Sequence, residues 1–369
     1  MSAGSAVAQT TYPNVKLSGR LQEQFYYFDN DDYAATVGPN SNVFTRRARF
    51  EARGQISENV SLFIQPSFEG GRTLSNLVTT CTADTPPVCR TTGRSGFRLR
   101  DAYIDVRFGS EGGKGELFFR AGQEKRPFSR YELTSSTNLP TIERGAGPGL
   151  LGRASNDLFG SAGFLSHDVG ASVRYEYQLG DDRLLTLKLG VYNGQGESLN
   201  DVNDRKSFGA RGTVAVTPKL EVGVSWFAHD AIVTVEGAPD SSFSNHAFDI
   251  DASWGKPGDA GLYALGEYLQ GDDASELERG MRGIQLLGAY HMRTGPSPSW
   301  IYAIEPALRL DIADPDTDTD DDSSTLVSGV LGLYFSSRAQ FRVAFERQSF
   351  EGGATPSISG LRSALTVNF

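Results

Sequence analysis

The chain has 369 residues, 38% of them hydrophobic and 22% charged, with a formal net charge of -10. That mixture excludes disorder, and the acidic total argues against a nucleic-acid binder, which carries a basic excess. The longest purely apolar runs are a few residues, far below the ~20 that a spanning helix needs, so a helical membrane protein is excluded as well. The 42 Gly, 22 Phe and 14 Tyr, beside 3 Met and 2 Cys, favour strands and tight turns over helices.

Residues 1–8 have no basic stretch followed by an apolar one, yet Ala6-Val7-Ala8-Gln9 resembles the small-residue site where an export signal is cut. We read 1–8 as a leader remnant or an added start, and 9–369 as one domain. Val15, Leu17 and Leu21 then alternate with Lys16, Ser18, Arg20 and Gln22. In the next stretch Phe44, Ala48, Phe50, Ala52 and Ile56 alternate with Thr45, Arg47, Arg49, Glu51 and Arg53. A period of two predicts strands with one apolar and one polar face. Cys81 and Cys89 flank Pro86-Pro87, and could close a small loop disulfide in an oxidising compartment or stand as two thiols.

The alternation continues. Ala102, Ile104, Val106 and Phe108 oppose Asp101, Tyr103, Asp105 and Arg107, and the following strand carries Glu116, Phe118, Arg120 and Gly122 on its polar face. Later strands repeat the pattern, for example Val169 to Tyr177, Leu185 to Val191, Val222 to Trp226, Phe248 to Trp254 and Phe341 to Phe345. About sixteen segments of roughly 9–13 residues result, the length of a tilted membrane-spanning strand. Their connections alternate between short (57–59, 180–182, 217–219, 256–259, 294–299, 336–338) and long (70–96, 125–162, 194–206, 230–245, 271–280, 313–324, 350–358). The chain ends Leu365-Thr-Val-Asn-Phe369, apolar at every second place and aromatic last, which looks like the C-terminal signature of outer-membrane barrels. The prediction is an all-β transmembrane antiparallel barrel of about sixteen strands, short turns periplasmic and long loops extracellular.

The face opposite the lipid is then a wet lumen. Lys16, Arg20, Arg47, Arg49, Arg53, Arg107 and Arg120 share it, and an arginine facing lipid instead would cost ~2–4 kcal/mol. Fixed positive charge favours anions, and the arginine fork suits phosphate. Lumen carboxylates such as Glu51, Asp105, Asp249 and Asp251 leave a balanced, weakly selective pore as the other reading. Arg46, Arg98 and Arg100 have the outward parity near the upper rim, toward lipopolysaccharide phosphates or loops. The longest loop, 125–162, brings Lys125, Arg126, Arg130 and Arg144 and either folds inward as a constriction, caps the mouth or contacts a neighbouring subunit.

Leu99-Arg-Asp-Ala-Tyr-Ile-Asp105, then Arg120-Ala-Gly-Gln-Glu-Lys-Arg-Pro-Phe-Ser129, then Ile142-Glu-Arg144 resemble the phosphate-selective porin O/P family. The family run Gly-Gln-x-Lys-x-Pro-Phe-Ser is met by Gly122, Gln123, Lys125, Pro127, Phe128 and Ser129. The resemblance implies a sixteen-stranded bacterial outer-membrane channel, usually a homotrimer, drawing anions, phosphate among them, past inward Arg and Lys; the residues themselves call for no cofactor. A non-conducting surface adhesion or scaffold barrel is the alternative.

Three other motifs point elsewhere. Gly147-Pro-Gly-Leu-Leu-Gly152 has dinucleotide spacing, but Pro148 and a loop setting make it a tight turn. The acidic run 314–322 resembles the front of a calcium loop, with Asp314, Asp316, Asp318 and Asp320 as candidate Ca²⁺ ligands. It lacks the central Gly, and Thr325 stands where the bidentate Glu belongs, so a solvated acidic loop is the default. The four histidines, His167, His229, His246 and His291, form no zinc pattern, and no nucleophile elbow appears, so the chain reads as a non-enzyme.

Overall fold

The computed structural model describes residues 11–69, 77–81, 89–93, 97–109, 113–180, 183–197, 204–233, 241–273, 279–295, 300–353 and 355–369. The reading of 1–8 lies outside them. The strands are β1 Asn14–Asp29, β2 Ser41–Gln55, β3 Val60–Ser67, β4 Leu77–Cys81, β5 Cys89–Gly93, β6 Arg98–Gly109, β7 Gly115–Lys125, β8 His167–Gly180 and β9 Arg183–Tyr192. They continue as β10 Ser207–Ala215, β11 Leu220–Val233, β12 Ser241–Trp254, β13 Gly261–Asp272, β14 Gly280–Arg293, β15 Ala303–Asp314, β16 Ser324–Tyr334, β17 Ala339–Phe350 and β18 Ile358–Asn368.

Sixteen of these close into one antiparallel barrel, each beside its sequence neighbour, with β3 passing directly to β6. The pair β4–β5 forms a separate hairpin inside the long connection 70–96, an element the alternation did not foretell. Ring closure is between β1 and β18, from Arg20 opposite Asn368 to Asp29 opposite Ser359. Gly19 and Phe369 extend it by exchanging two backbone hydrogen bonds of 2.9 and 3.0 Å. Closure is what permits a sheet to sit in lipid, since no strand edge is left with unpaired amides.

The outer face follows the predicted parity. Leu17, Val15, Ile104, Leu187, Leu189, Val224, Ile250, Leu308 and Phe345 are all more than 40% exposed. One residue breaks the pattern. Val43 and Phe50 both point outward although they are seven residues apart, so the strand must slip phase between them. The slip is a β-bulge: Gln22 pairs with Arg47 while Glu23 pairs with Thr45, which leaves Arg46 without a partner. Phe44, expected on the lipid side, therefore turns inward and packs edge-on against Tyr26, ring centroids 6.1 Å apart. A second bulge lies close by, where Gln65 of β3 opposes both Arg100 and Asp101 of β6.

Inside, the barrel is partly filled by residues 126–166, which join β7 to β8. Phe128, Phe159, Phe164 and Leu165 of this segment are buried against Tyr192, Phe227, Leu269 and Met281 of the wall. Leu150 and Ala154 pack on Tyr26, Phe28 and Ile358; Tyr131 and Leu139 on Tyr263, Leu265 and Leu287; Ile142 on Val330, Ala344 and Ala364. Each fully buried aromatic or leucine contributes about 1.5–3 kcal/mol, so the segment is fastened to β9, β11–β18 and β1 by apolar contact. The strands facing it across the bore are β2, β3, β6 and β7.

Candidate functional site

The turn into the lumen is built from the Gly122 to Ser129 run. Gly122 has φ +131°, and a Cβ there would lie 2.7 Å from the Tyr103 Cα, so only glycine lets β7 cross β6 this closely. The Gln123 amide donates to the carbonyls of Leu99 and Arg100, the second at 2.6 Å, and so pairs the backbone that the β6 bulge would leave open. Lys125 reaches the Glu132 carboxylate at 3.2 Å. Arg126 donates to Asp168 (2.7 and 3.2 Å) and to the carbonyls of Gly163, Leu165 and Gly194. Ser129, at φ +62°, caps the turn Arg130–Leu133 by accepting from the Glu132 N–H and donates its own hydroxyl to Glu267 (3.0 Å). Strain at Ser129 of this kind costs ~1–3 kcal/mol and is tolerated because so many contacts fix the segment.

Between the segment and the wall lies a cavity of about 520 Å³. Ten basic side chains line it: Arg20, Arg46, Arg47, Arg49, Arg53, Arg100, Arg120, Lys125, Arg144 and Lys188. Six acidic ones accompany them: Glu51, Asp101, Glu124, Glu132, Glu143 and Asp157. The local balance is thus basic in a chain whose total is -10. Most cations are held by carboxylates. Arg46 grips Glu143 with two bonds (2.7 and 3.0 Å), and Arg47 approaches the same group at 3.5 Å. Arg49 and Arg100 share Glu69. Arg120 is bidentate to Asp105 (2.6 and 2.7 Å) and bonds Glu124 (3.0 Å), which also takes Lys188 (2.6 Å). Its guanidinium lies 3.6 Å over the Tyr103 ring, and Arg53 lies 4.1 Å over Phe63.

Arg20 differs from these. It donates to Ser136 Oγ (2.6 Å), Thr137 Oγ1 and Asn368 Oδ1 (3.2 Å), and among the described residues it makes no ion pair. On the segment, burial pushes the Glu132 carboxyl up, but Lys125 and Arg144 beside it prevail and hold it at about 2. Glu143 is likewise held below the usual carboxylate range, where burial is outweighed by Arg46 and Arg47. Both stay ionised at neutral pH.

Of the residues singled out from sequence, Arg20, Arg47, Arg49, Arg53, Arg120, Lys125 and Arg144 meet in this cavity. The others lie elsewhere. Lys16 is exposed near the short-turn end, opposite Arg53 in the ladder. Arg107 pairs with Glu116 at 3.4 Å beside a smaller cavity of about 240 Å³. Arg126 is buried as a tether, and Arg130 binds Asp251 and Glu221 on the far side of the segment. Arg46 and Arg100, expected outward, line the cavity because each sits at a bulge that reverses its parity. Of that trio Arg98 remains exposed. Lys188 was not singled out; its place on the polar face of β9, two strands from Arg120, is the signal that could have found it.

The acidic run does not gather into a calcium loop. Asp314 binds Arg282 (2.8 Å), and Asp316 faces Arg279 (3.6 Å) while capping the Asp318 N–H and the Thr319 hydroxyl. Among the described residues the one group with three converging carboxylates is Asp249, Asp251 and Glu267, already engaged by Arg211, Arg130 and Ser129. Ser207 and His229 hydrogen-bond at 3.2 Å on neighbouring strands, but both are buried, and Gly163 of the segment packs on the imidazole. The backbone register sets Cys81 directly opposite Cys89 in the β4–β5 hairpin.

Solved structures share the architecture. An anion-selective porin from Comamonas acidovorans aligns with a TM-score of 0.60 at 14% identity, covering 97% of this chain and 100% of that one. The outer-membrane channel DcaP of Acinetobacter baumannii aligns at 0.57 and 12% identity, covering 97% of each chain. The trimer form of OmpT from Vibrio cholerae aligns at 0.57 and 11%, covering 97% and 99%. At such identities these establish the fold. No curated protein matches the sequence. The profile of the family described as phosphate-selective porin O and P matches residues 15–239, more than half the chain; with a closed sixteen-stranded barrel around a charged bore, the chain belongs to that family and is a bacterial outer-membrane porin.

Proposed function

We propose that small hydrophilic anions diffuse passively through this barrel past the arginine-lined cavity, which acts as the selective constriction, with no catalytic step. The observation that carries the reading is the excess of basic over acidic side chains on that cavity, ten against six, in an otherwise acidic protein. The guanidinium forks offer an anion hydrogen bonds that replace its water, which lowers the cost of entering a narrow space. Because nearly every arginine already leans on a carboxylate, binding is shallow and release is fast, as conduction requires. Arg20, free of such a partner, is the strongest single attractor. Likeness to an anion-selective porin supports the same direction.

Three finer features belong to this reading. The chain works as a homotrimer, for which the trimeric OmpT relative is the support. Cys81 and Cys89 form a bridge across the β4–β5 hairpin, supported by their opposed register. Exposed Arg98 meets lipopolysaccharide phosphates.

The test is reconstitution in a planar bilayer. Stepwise currents with a reversal potential in a KCl gradient on the chloride side of zero are expected, and porin-loaded liposomes should swell faster in phosphate than in a neutral sugar of equal size. Absence of steps would leave a scaffold barrel, and a potassium-side potential would reverse the selectivity.

A further inference from the structure

We propose that His167, in its doubly protonated form, is a further cation of the constriction, so that the channel's preference for anions weakens as the medium turns alkaline. The proposal rests on the anion-diffusion reading and adds a residue that sets its strength. His167 opens β8, where the inner segment returns to the wall, and it lines the basic cavity. Its imidazole is buried between two carboxylates. Nε2 is 3.4 Å from Asp101 Oδ2 on β6, and Nδ1 is 3.4 Å from Glu197 Oε1 in the connection after β9. Ionised carboxylate oxygens only accept, whereas a neutral imidazole has one N–H and one lone pair. Either neutral tautomer therefore turns a lone pair on an anion. The imidazolium donates at both ends.

The charged groups around the ring come from each neighbouring element. From β6 come Asp101 and Arg100, the latter bonded to Glu197. From β7 comes Lys125, opposite His167 in the ladder. The inner segment brings Glu132, already held by Lys125 and Arg144. On β8 itself Asp168 is taken by Arg126. Among the described residues, His167 is the one side chain bonded to Asp101. Loss of the imidazolium proton thus removes a positive charge from the cavity and leaves Asp101 there as an anion without an ion-pair partner. Both changes favour cations over anions. An imidazole is the side chain whose charge changes between pH 5 and 8. The other histidines are placed differently: His291 meets Glu305 through one nitrogen (3.0 Å), His229 Nδ1 meets the Ser207 hydroxyl, and His246 stacks on Trp226.

The test is the reversal potential of the full-length porin in a KCl gradient, measured at pH 5 and at pH 8 for the parent, His167→Gln and His167→Lys. Chloride is the probe because phosphate changes its own charge near pH 6. In the parent, the chloride-to-potassium permeability ratio should fall by about fivefold or more from pH 5 to pH 8, fivefold being the effect on one ion of a unit charge at ~4 Å in water. His167→Gln should hold the low ratio at both values, and His167→Lys the high one. Heat-modifiable mobility shows which variants fold; should the glutamine form fail, the flat response of the lysine form decides. A parent that prefers chloride equally at both pH values overturns this inference alone. So does a fall that persists undiminished in either variant. A parent that is non-conducting, or prefers potassium at pH 5, overturns the anion reading and this inference with it.

Discussion

Replacing Arg20 with alanine isolates the electrostatic argument better than any other change in the bore. Its hydrogen bonds run to Ser136, Thr137 and Asn368, all neutral, so the substitution breaks no ion pair and deletes one positive charge. A unit charge at 4 Å is worth about 1 kcal/mol in water and about 4 kcal/mol near a protein surface. In a wet cavity at 0.1 M salt, where the screening length is about 10 Å, the lower figure applies. Since 1.4 kcal/mol is tenfold, about 1 kcal/mol lowers anion entry about fivefold. Cation entry rises by a similar factor, so the chloride-to-potassium permeability ratio should fall by about 25-fold at most. The assay is the reversal potential across a tenfold KCl gradient, with Arg347→Ala as a control whose guanidinium is held by Ser357 outside the bore. A reversal potential that moves no more in Arg20→Ala than in the control would refute the charge argument.

Glu143→Gln should loosen the inner segment, because it leaves Arg46 and Arg47 without their shared anion; removing one partner of a buried pair costs ~3–5 kcal/mol. Noisier open-channel current and new trypsin cleavage after Arg144 or Arg153 are expected. Gly122→Ala sets a Cβ 2.7 Å from Tyr103 Cα at φ +131° and should cost at least the ~1–3 kcal/mol of such a strained residue, read as a lower yield of heat-modifiable barrel. Glu132 is held at about 2, below its ordinary value of 4.5, so its ion pairs stabilise the docked segment at all pH above that ordinary value. That stabilisation is lost progressively as pH falls from the ordinary value to about 2; segment protection from protease should therefore be nearly equal at pH 7 and pH 5. Alkylation of unfolded porin should label Cys81 and Cys89 only after reduction.

The barrel was readable because its physics is a period of two repeated from Val15 to Phe369, and lipid enforces that period on the outer face. Where lipid does not decide, alternation misled. Tyr263, Leu265 and Leu269 are apolar and point inward, since the inner segment covers them; along β13 both faces are then apolar and parity says nothing about the bore. Arg126 and Arg130 lie in the right loop but face Asp168 and Asp251, partners 42 and 121 residues away that spacing cannot connect. The bulges at Arg46 and Arg100 left one faint trace, the odd interval between outward Val43 and Phe50.

The unpaired position of Arg46 has a consequence for how such a channel changes over generations. Excising that one residue would leave Thr45 followed directly by Arg47, which restores strict alternation while every other side chain of β2 keeps its original side. A codon lost or gained there subtracts or adds one cation at the constriction, without touching the greasy exterior or the strand pairing above and below. Permeability in this lineage is thus adjustable by length as well as by substitution.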